Sequence, residues 1–173
     1  MKRMSMPEPV RVAEEAEAPS AGLTVEALRG RALALLTRRE HSRVEIERKL
    51  LDQGGAAPLV AQVLDELVER RLQSDERFAE VFVRSRALKG QGPRTIAADL
   101  RGRGLDAEQV SAALAASGHD WTRRAGEVRQ ARFGRELPTE PRERARQMRF
   151  LQYRGFSGSD CARAVNCEDP GED

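Results

Sequence analysis

The chain has 173 residues, 39% hydrophobic, 34% charged and 4% aromatic, with 30 basic residues against 28 acidic ones. That length fits one ordinary domain or a few small repeated units, and no apolar run reaches the roughly 18 residues a bilayer crossing needs. A net charge of +2 announces no polyanionic partner by itself.

Residues 1–23 carry Pro7, Pro9, Pro19 and the acids Glu14, Glu15 and Glu17, with too little apolar surface to offset ordering entropy, so a disordered tail is expected. Lys2 and Arg3 are followed by no continuous apolar stretch, which argues against a secretory signal; a cytoplasmic protein is expected. Val25, Leu28, Ala32, Leu35 and Leu36 share one helical face and predict a helix over about 25–39. Ser42 and Glu45 have capping-box spacing and open a second helix that ends at Gly54. Val60, Val63, Leu64, Leu67 and Val68 form the apolar face of a third.

The pattern continues with helices over about 75–89, from Gly92-Pro93 to Gly104, around Val110 to Leu114, over 121–133, from Glu140-Pro141 to Gly155, and from Cys161 to Val165. Proline at a first helical turn and glycine just past a last one fit helix chemistry. Asp106 with Gln109 repeats the capping-box spacing in weaker form. No segment alternates as a strand does. Residues 167–173 form a short acidic tail.

The glycines expose an internal repeat. Ile46, Leu50 and Gly54 recur fifty residues later as Ile96, Leu100 and Gly104, while the third copy keeps Leu151 and Gly155 but places Gln147 at the Ile position. Each glycine-ended helix has one helix before it and one after it. The expected fold is therefore all-α: three tandem three-helix repeats over 24–73, 74–120 and 121–166, stacked into an elongated, curved body. Gln147 implies that the third unit packs differently from the other two.

Charge is uneven along this array. Residues 24–120 are nearly balanced, whereas 121–166 hold eleven basic residues, all Arg, against five acidic ones. Five of the seven aromatics, Trp121, Phe133, Phe150, Tyr153 and Phe156, fall in the same unit. The three Phe are expected in its core. An Arg-rich surface suits phosphate or an acidic protein face, and Arg123, Arg124, Arg129, Arg132, Arg135, Arg144, Arg149 and Arg154 are the candidates for a docking surface.

Catalytic and metal chemistry find little support. His41 and His119 lie far from Cys161 and Cys167, no C-x-x-C or H-x-x-x-H pair exists, and no G-x-x-x-x-G-K-[ST] loop is present. Cys161 sits at an apolar repeat position and is expected to pack. The acids are scattered rather than gathered for general acid–base work. A non-enzyme without metal, disulfide or cofactor is expected.

Three segments carry a family resemblance. Ser74 to Leu105 (SDERFAEVFVRSRALKGQGPRTIAADLRGRGL) resembles the central motif of the RecX family. Arg132 to Pro138 (RFGRELP) with Met148 to Ser157 (MRFLQYRGFS) resembles its C-terminal signature, and Ala32 to Leu50 (ALALLTRREHSRVEIERKL) its opening unit. The resemblance covers nearly all of 24–166 in order. It implies a regulator of the RecA recombinase that binds RecA–DNA filaments in their helical groove and restrains ATP hydrolysis, coprotease activity and strand exchange, within DNA repair, recombination and the SOS response. A monomer is expected, with at most modest affinity for single- or double-stranded DNA. The competing reading is a stand-alone helical DNA-binding module acting through the Arg-rich third unit. The tails have no counterpart in the resemblance.

Overall fold

The structure, a computed structural model, describes residues 23–166; the expectations for 1–22 and 167–173 lie outside the described residues, whereas Leu23, expected in the tail, packs against the first core. Those residues form nine helices and no strand. The first unit comprises α1 (Val25–Leu36), α2 (Arg43–Asp52) and α3 (Ala57–Glu69). The second comprises α4 (Asp75–Leu88), α5 (Pro93–Arg101) and α6 (Ala107–Ala116), and the third α7 (Trp121–Phe133), α8 (Pro141–Tyr153) and α9 (Gly158–Asn166). Substantial helix-to-helix packing stays within units, so the molecule is a tandem array of three-helix bodies.

Each body has its own core. Leu28, Ala32, Ile46, Leu50, Val63 and Leu64 are buried in the first, and Phe78, Val83, Ile96, Leu100 and Val110 in the second. The third has a thinner set, Ala125, Leu151, Phe156, Cys161, Ala164 and Val165. Of the three phenylalanines expected in its core, only Phe156 is fully buried; Phe133 and Phe150 are half-buried and meet edge to face at 5.2 Å between centroids. Trp121 packs against both the second and third cores. Burial pushes the Cys161 thiol up to about 11, which keeps it protonated and suits the packing role its repeat position implies.

Two local expectations are corrected. The first helix stops at Leu36 rather than 39, because the Thr37 hydroxyl bonds back to the Ala34 carbonyl and the chain turns. Val68 sits at the far edge of its helical face, beside the end of α3, and is exposed. Capping also inverts the expected order. Asp106 and Gln109 make the complete reciprocal box, whereas Glu45 leaves Ser42 with half of one because Arg39 and Arg103 hold its carboxylate.

The units are joined in the same way twice. In each joint the glycine turn after the middle helix of one unit lies against the start of the middle helix of the unit before it. At the first joint, Ser42 Oγ donates to the Arg103 carbonyl at 2.8 Å. At the second, the Gly92 amide donates to the Arg154 carbonyl at 2.8 Å and the Arg94 amide to the Gly155 carbonyl at 3.0 Å. The turn glycines have φ of +90° at Gly104 and +93° at Gly155, a region in which other residues are strained. A Cβ at Gly104 would lie 2.3 Å from the Val44 side chain, and one at Gly155 would lie 2.5 Å from the Thr95 backbone nitrogen. The repeated glycine therefore serves both helix termination and close approach between units.

At the third unit the corresponding helix start carries Glu143 and Arg146, joined by two 2.8 Å hydrogen bonds. A charged outer end is what a terminal repeat requires.

The first joint also buries His41, Ser42 and Gln73. His41 Nδ1 lies 3.0 Å from the Arg39 carbonyl, and Gln73 Nε2 bridges the His41 carbonyl and Asp75. Burial holds the imidazole below its ordinary value of 6.5. The folded chain thus resists a proton that the unfolded chain accepts. This contribution to stability is complete above about pH 6.5 and is lost as pH falls from there toward the lower folded value. Urea unfolding on either side of that pH should show a lower midpoint in acid, and His41→Gln should shrink the difference; an unchanged difference would rule His41 out as its source.

Candidate protein-docking surface

The eight arginines singled out by sequence divide into three groups. Arg129 is not a surface group. It is 5% exposed, lies one turn beyond the buried Ala125 on the inner face of α7, and donates to the carbonyls of Glu136 at 2.9 Å and Arg135 at 3.1 Å. Burial pulls its pKa down, but a guanidinium remains charged in proteins. Its role is to clamp the α7–α8 connection from inside.

Arg124 and Arg154 reach across the second joint. Arg124 donates to the Ala87 carbonyl at 2.6 Å, near the carbonyl-rich end of α4 where a cation is favoured, and it pairs with Glu127. Arg154 donates to the Lys89 carbonyl at 3.2 Å and lies over the Phe150 ring at 5.1 Å from its centroid.

The remaining five are exposed. Arg123 pairs with Glu127 at 3.3 Å, Arg144 donates to the Pro138 carbonyl at 3.3 Å, and Arg135 supplies one of the carbonyls that Arg129 binds. Arg132 lies 6.0 Å from the Phe133 ring centroid. Arg149 is presented outward on α8.

Arg124, Arg132 and Arg154 converge with Lys89 and Leu88 on a groove between α4 and the third unit. Lys89 and Leu88 escape a reading by sequence because they belong to the preceding unit and reach the groove only through the joint. Arg144 and Arg149 lie elsewhere on the surface, outside this lining. Tyr153 is 91% exposed and shares a face of α8 with Arg142 and Arg149, at spacings of eleven and four residues. No group of three or more His, Cys, Asp or Glu side chains among the described residues is placed to hold a metal ion. No helix among them is long and apolar enough to cross a membrane.

Fold and surface together define a tandem three-helix repeat protein whose cationic side chains gather at one joint and one terminal unit. Family models for the first, second and third three-helix domains of RecX match residues 29–67, 74–114 and 122–165 in that order. The regulatory protein RecX of Pseudomonas syringae pv. tomato is 47% identical over 133 residues, 77% of this chain and 86% of that protein. That of Halorhodospira halophila is 44% identical over 149 residues, 86% of this chain and 92% of the relative. The crystal structure of RecX from Lactobacillus salivarius has the same fold, with a TM-score of 0.71 at 19% identity over 82% of this chain and 94% of that one. This chain belongs to the RecX family of regulatory proteins.

Proposed function

We propose that the protein is a non-enzymatic modulator of RecA that binds RecA–DNA filaments and restrains ATP hydrolysis, coprotease activity and strand exchange. The observation that carries this reading is the ordered match of all three RecX domains along the chain. The architecture supports it physically. Three bodies in series can touch successive protomers of a filament, and weak contacts combine through effective concentration. Binding that favours one filament state hinders turnover through that difference in affinity. The exposed arginines of the third unit supply one docking surface.

The test is the steady-state ATPase of RecA on single-stranded DNA with this chain added in stoichiometric amounts. Hydrolysis should fall as the chain saturates the filament; an unchanged rate at saturation would reject the restraint. A second reading, direct DNA binding, is favoured by the exposed Arg142, Arg149 and Tyr153 on one face of α8, since cations beside an open aromatic ring suit a single strand. It predicts binding to naked DNA that weakens steeply with salt.

A further inference from the structure

The groove at the second joint has a composition of its own. Its volume is about 420 Å³. Leu88, Val128, Ala131 and Phe150 give it apolar walls, and Leu88 is 72% exposed, a large apolar side chain left open beside a pocket. Around these stand Lys89, Arg124, Arg132 and Arg154 against a single carboxylate, Glu127. That carboxylate is already shared by Arg123 and Arg124. Neither Lys89 nor Arg132 forms an ion pair among the described residues.

Two of the cations are held in place. The Ala87 and Lys89 carbonyls fix Arg124 and Arg154, so less side-chain freedom is lost when an anion meets them. The groove also spans two units, so an occupant would hold the joint in one arrangement.

An occupant must therefore offer both an apolar group and carboxylates. Nucleic acid fits poorly. The one aromatic ring in the lining, Phe150, is engaged by Arg154 and by Phe133, and the rest of the apolar lining is aliphatic. A base finds no free aromatic ring there on which to stack. Residues 167–173 of this chain supply Glu168, Asp169, Glu172 and Asp173 but no large apolar side chain. We infer that the groove between α4, α7 and α8 receives a segment of a partner protein that places a large apolar side chain against Leu88 and Val128 and carboxylates against Lys89 and Arg132. This rests on the reading of the chain as a filament-bound regulator, whose protein component would provide the segment.

The test has two arms on the full chain, the first with one truncated control. In the first, a fluorescent peptide of glutamate and leucine is titrated by anisotropy, beside a glutamate–serine peptide and a single-stranded oligonucleotide of equal charge. The glutamate–leucine peptide should bind best. K89E and R132E should each weaken it by about tenfold or more, while R48E, the same charge change on the exposed surface of the first unit, should not. Equal binding of the serine peptide, stronger binding of the oligonucleotide, or indifference to K89E and R132E would overturn the groove. So would a peptide refused by the full chain but accepted after truncation at Asn166, because the occupant would then be the chain's own tail.

In the second arm the same variants are pelleted with RecA filaments. Loss of pelleting in K89E and R132E, but not R48E, joins the groove to the filament. Wild-type strength in both variants leaves the filament reading standing and overturns the groove as its contact. Peptide binding without any filament binding by the unmodified chain leaves the groove and removes RecA.

Discussion

Replacing Gly155 by alanine is expected to destabilise the chain by about 2–5 kcal/mol, the sum of a left-handed backbone and an overpacked contact. Gly155 has φ of +93°, and a Cβ there would stand 2.3 Å from Thr95 Oγ1 and 2.5 Å from Thr95 N. The second contact is with backbone, which cannot turn aside as a side-chain end can. Relief would require the third unit to back away from the second, breaking the Gly92–Arg154 and Arg94–Gly155 hydrogen bonds. Gly54 supplies the control. It has φ of +87° but no atom within 4 Å of an added Cβ, so Gly54→Ala should cost only the backbone strain, about 1–2 kcal/mol.

Trp121 is the one tryptophan of the chain and packs on the cores of both units at this joint. Its fluorescence therefore reports their separation. In urea the Gly155→Ala transition seen by Trp121 should move well below that of Gly54→Ala. Coincident transitions would mean that the units are not held at this glycine.

Gln147→Leu is expected to act in the opposite direction and raise stability by about 1–3 kcal/mol, the usual cost of an unsatisfied buried polar group. Gln147 is 3% exposed and its Oε1 has no hydrogen-bond partner. Its Nε2 donates to Glu143 at 2.9 Å, but Glu143 keeps two bonds from Arg146 without it. The equivalent positions of the other units are Ile46 and Ile96, both fully buried, so the site is built for an apolar side chain of similar size. Circular dichroism in urea should show a higher midpoint. A lower one would mean that the Gln147 carbonyl is satisfied through buried water and belongs to the packing of this unit.

The repeat was legible because it is written in one-dimensional spacing. Ile-x-x-x-Leu-x-x-x-Gly in two units, reduced to Leu-x-x-x-Gly in the third, needs only helix geometry to be recognised, and it located each middle helix and its stop. The pattern could not show why the glycine is needed twice over. Val44 and Thr95 press on Gly104 and Gly155 from the preceding units, a contact across about sixty residues. The same distance explains the capping box that Glu45 leaves half made, since Arg103 claims its carboxylate from the next unit.

For the proposed docking surface, the sequence shows an Arg-rich third unit but not which of its side chains stand together. Arg129 looks like its neighbours by composition, and only its spacing of four from Ala125, on the inner face of α7, marks it as interior. Lys89 and Leu88 carry no mark at all in a list of third-unit cations. They reach the groove through the joint.

Co-sedimentation of the full chain with RecA filaments on single-stranded DNA, beside naked DNA at two salt concentrations, tests the central claim most directly. The chain should pellet with filaments at a salt concentration that releases it from naked DNA. Pelleting that follows the DNA alone, with or without RecA, would contradict the account.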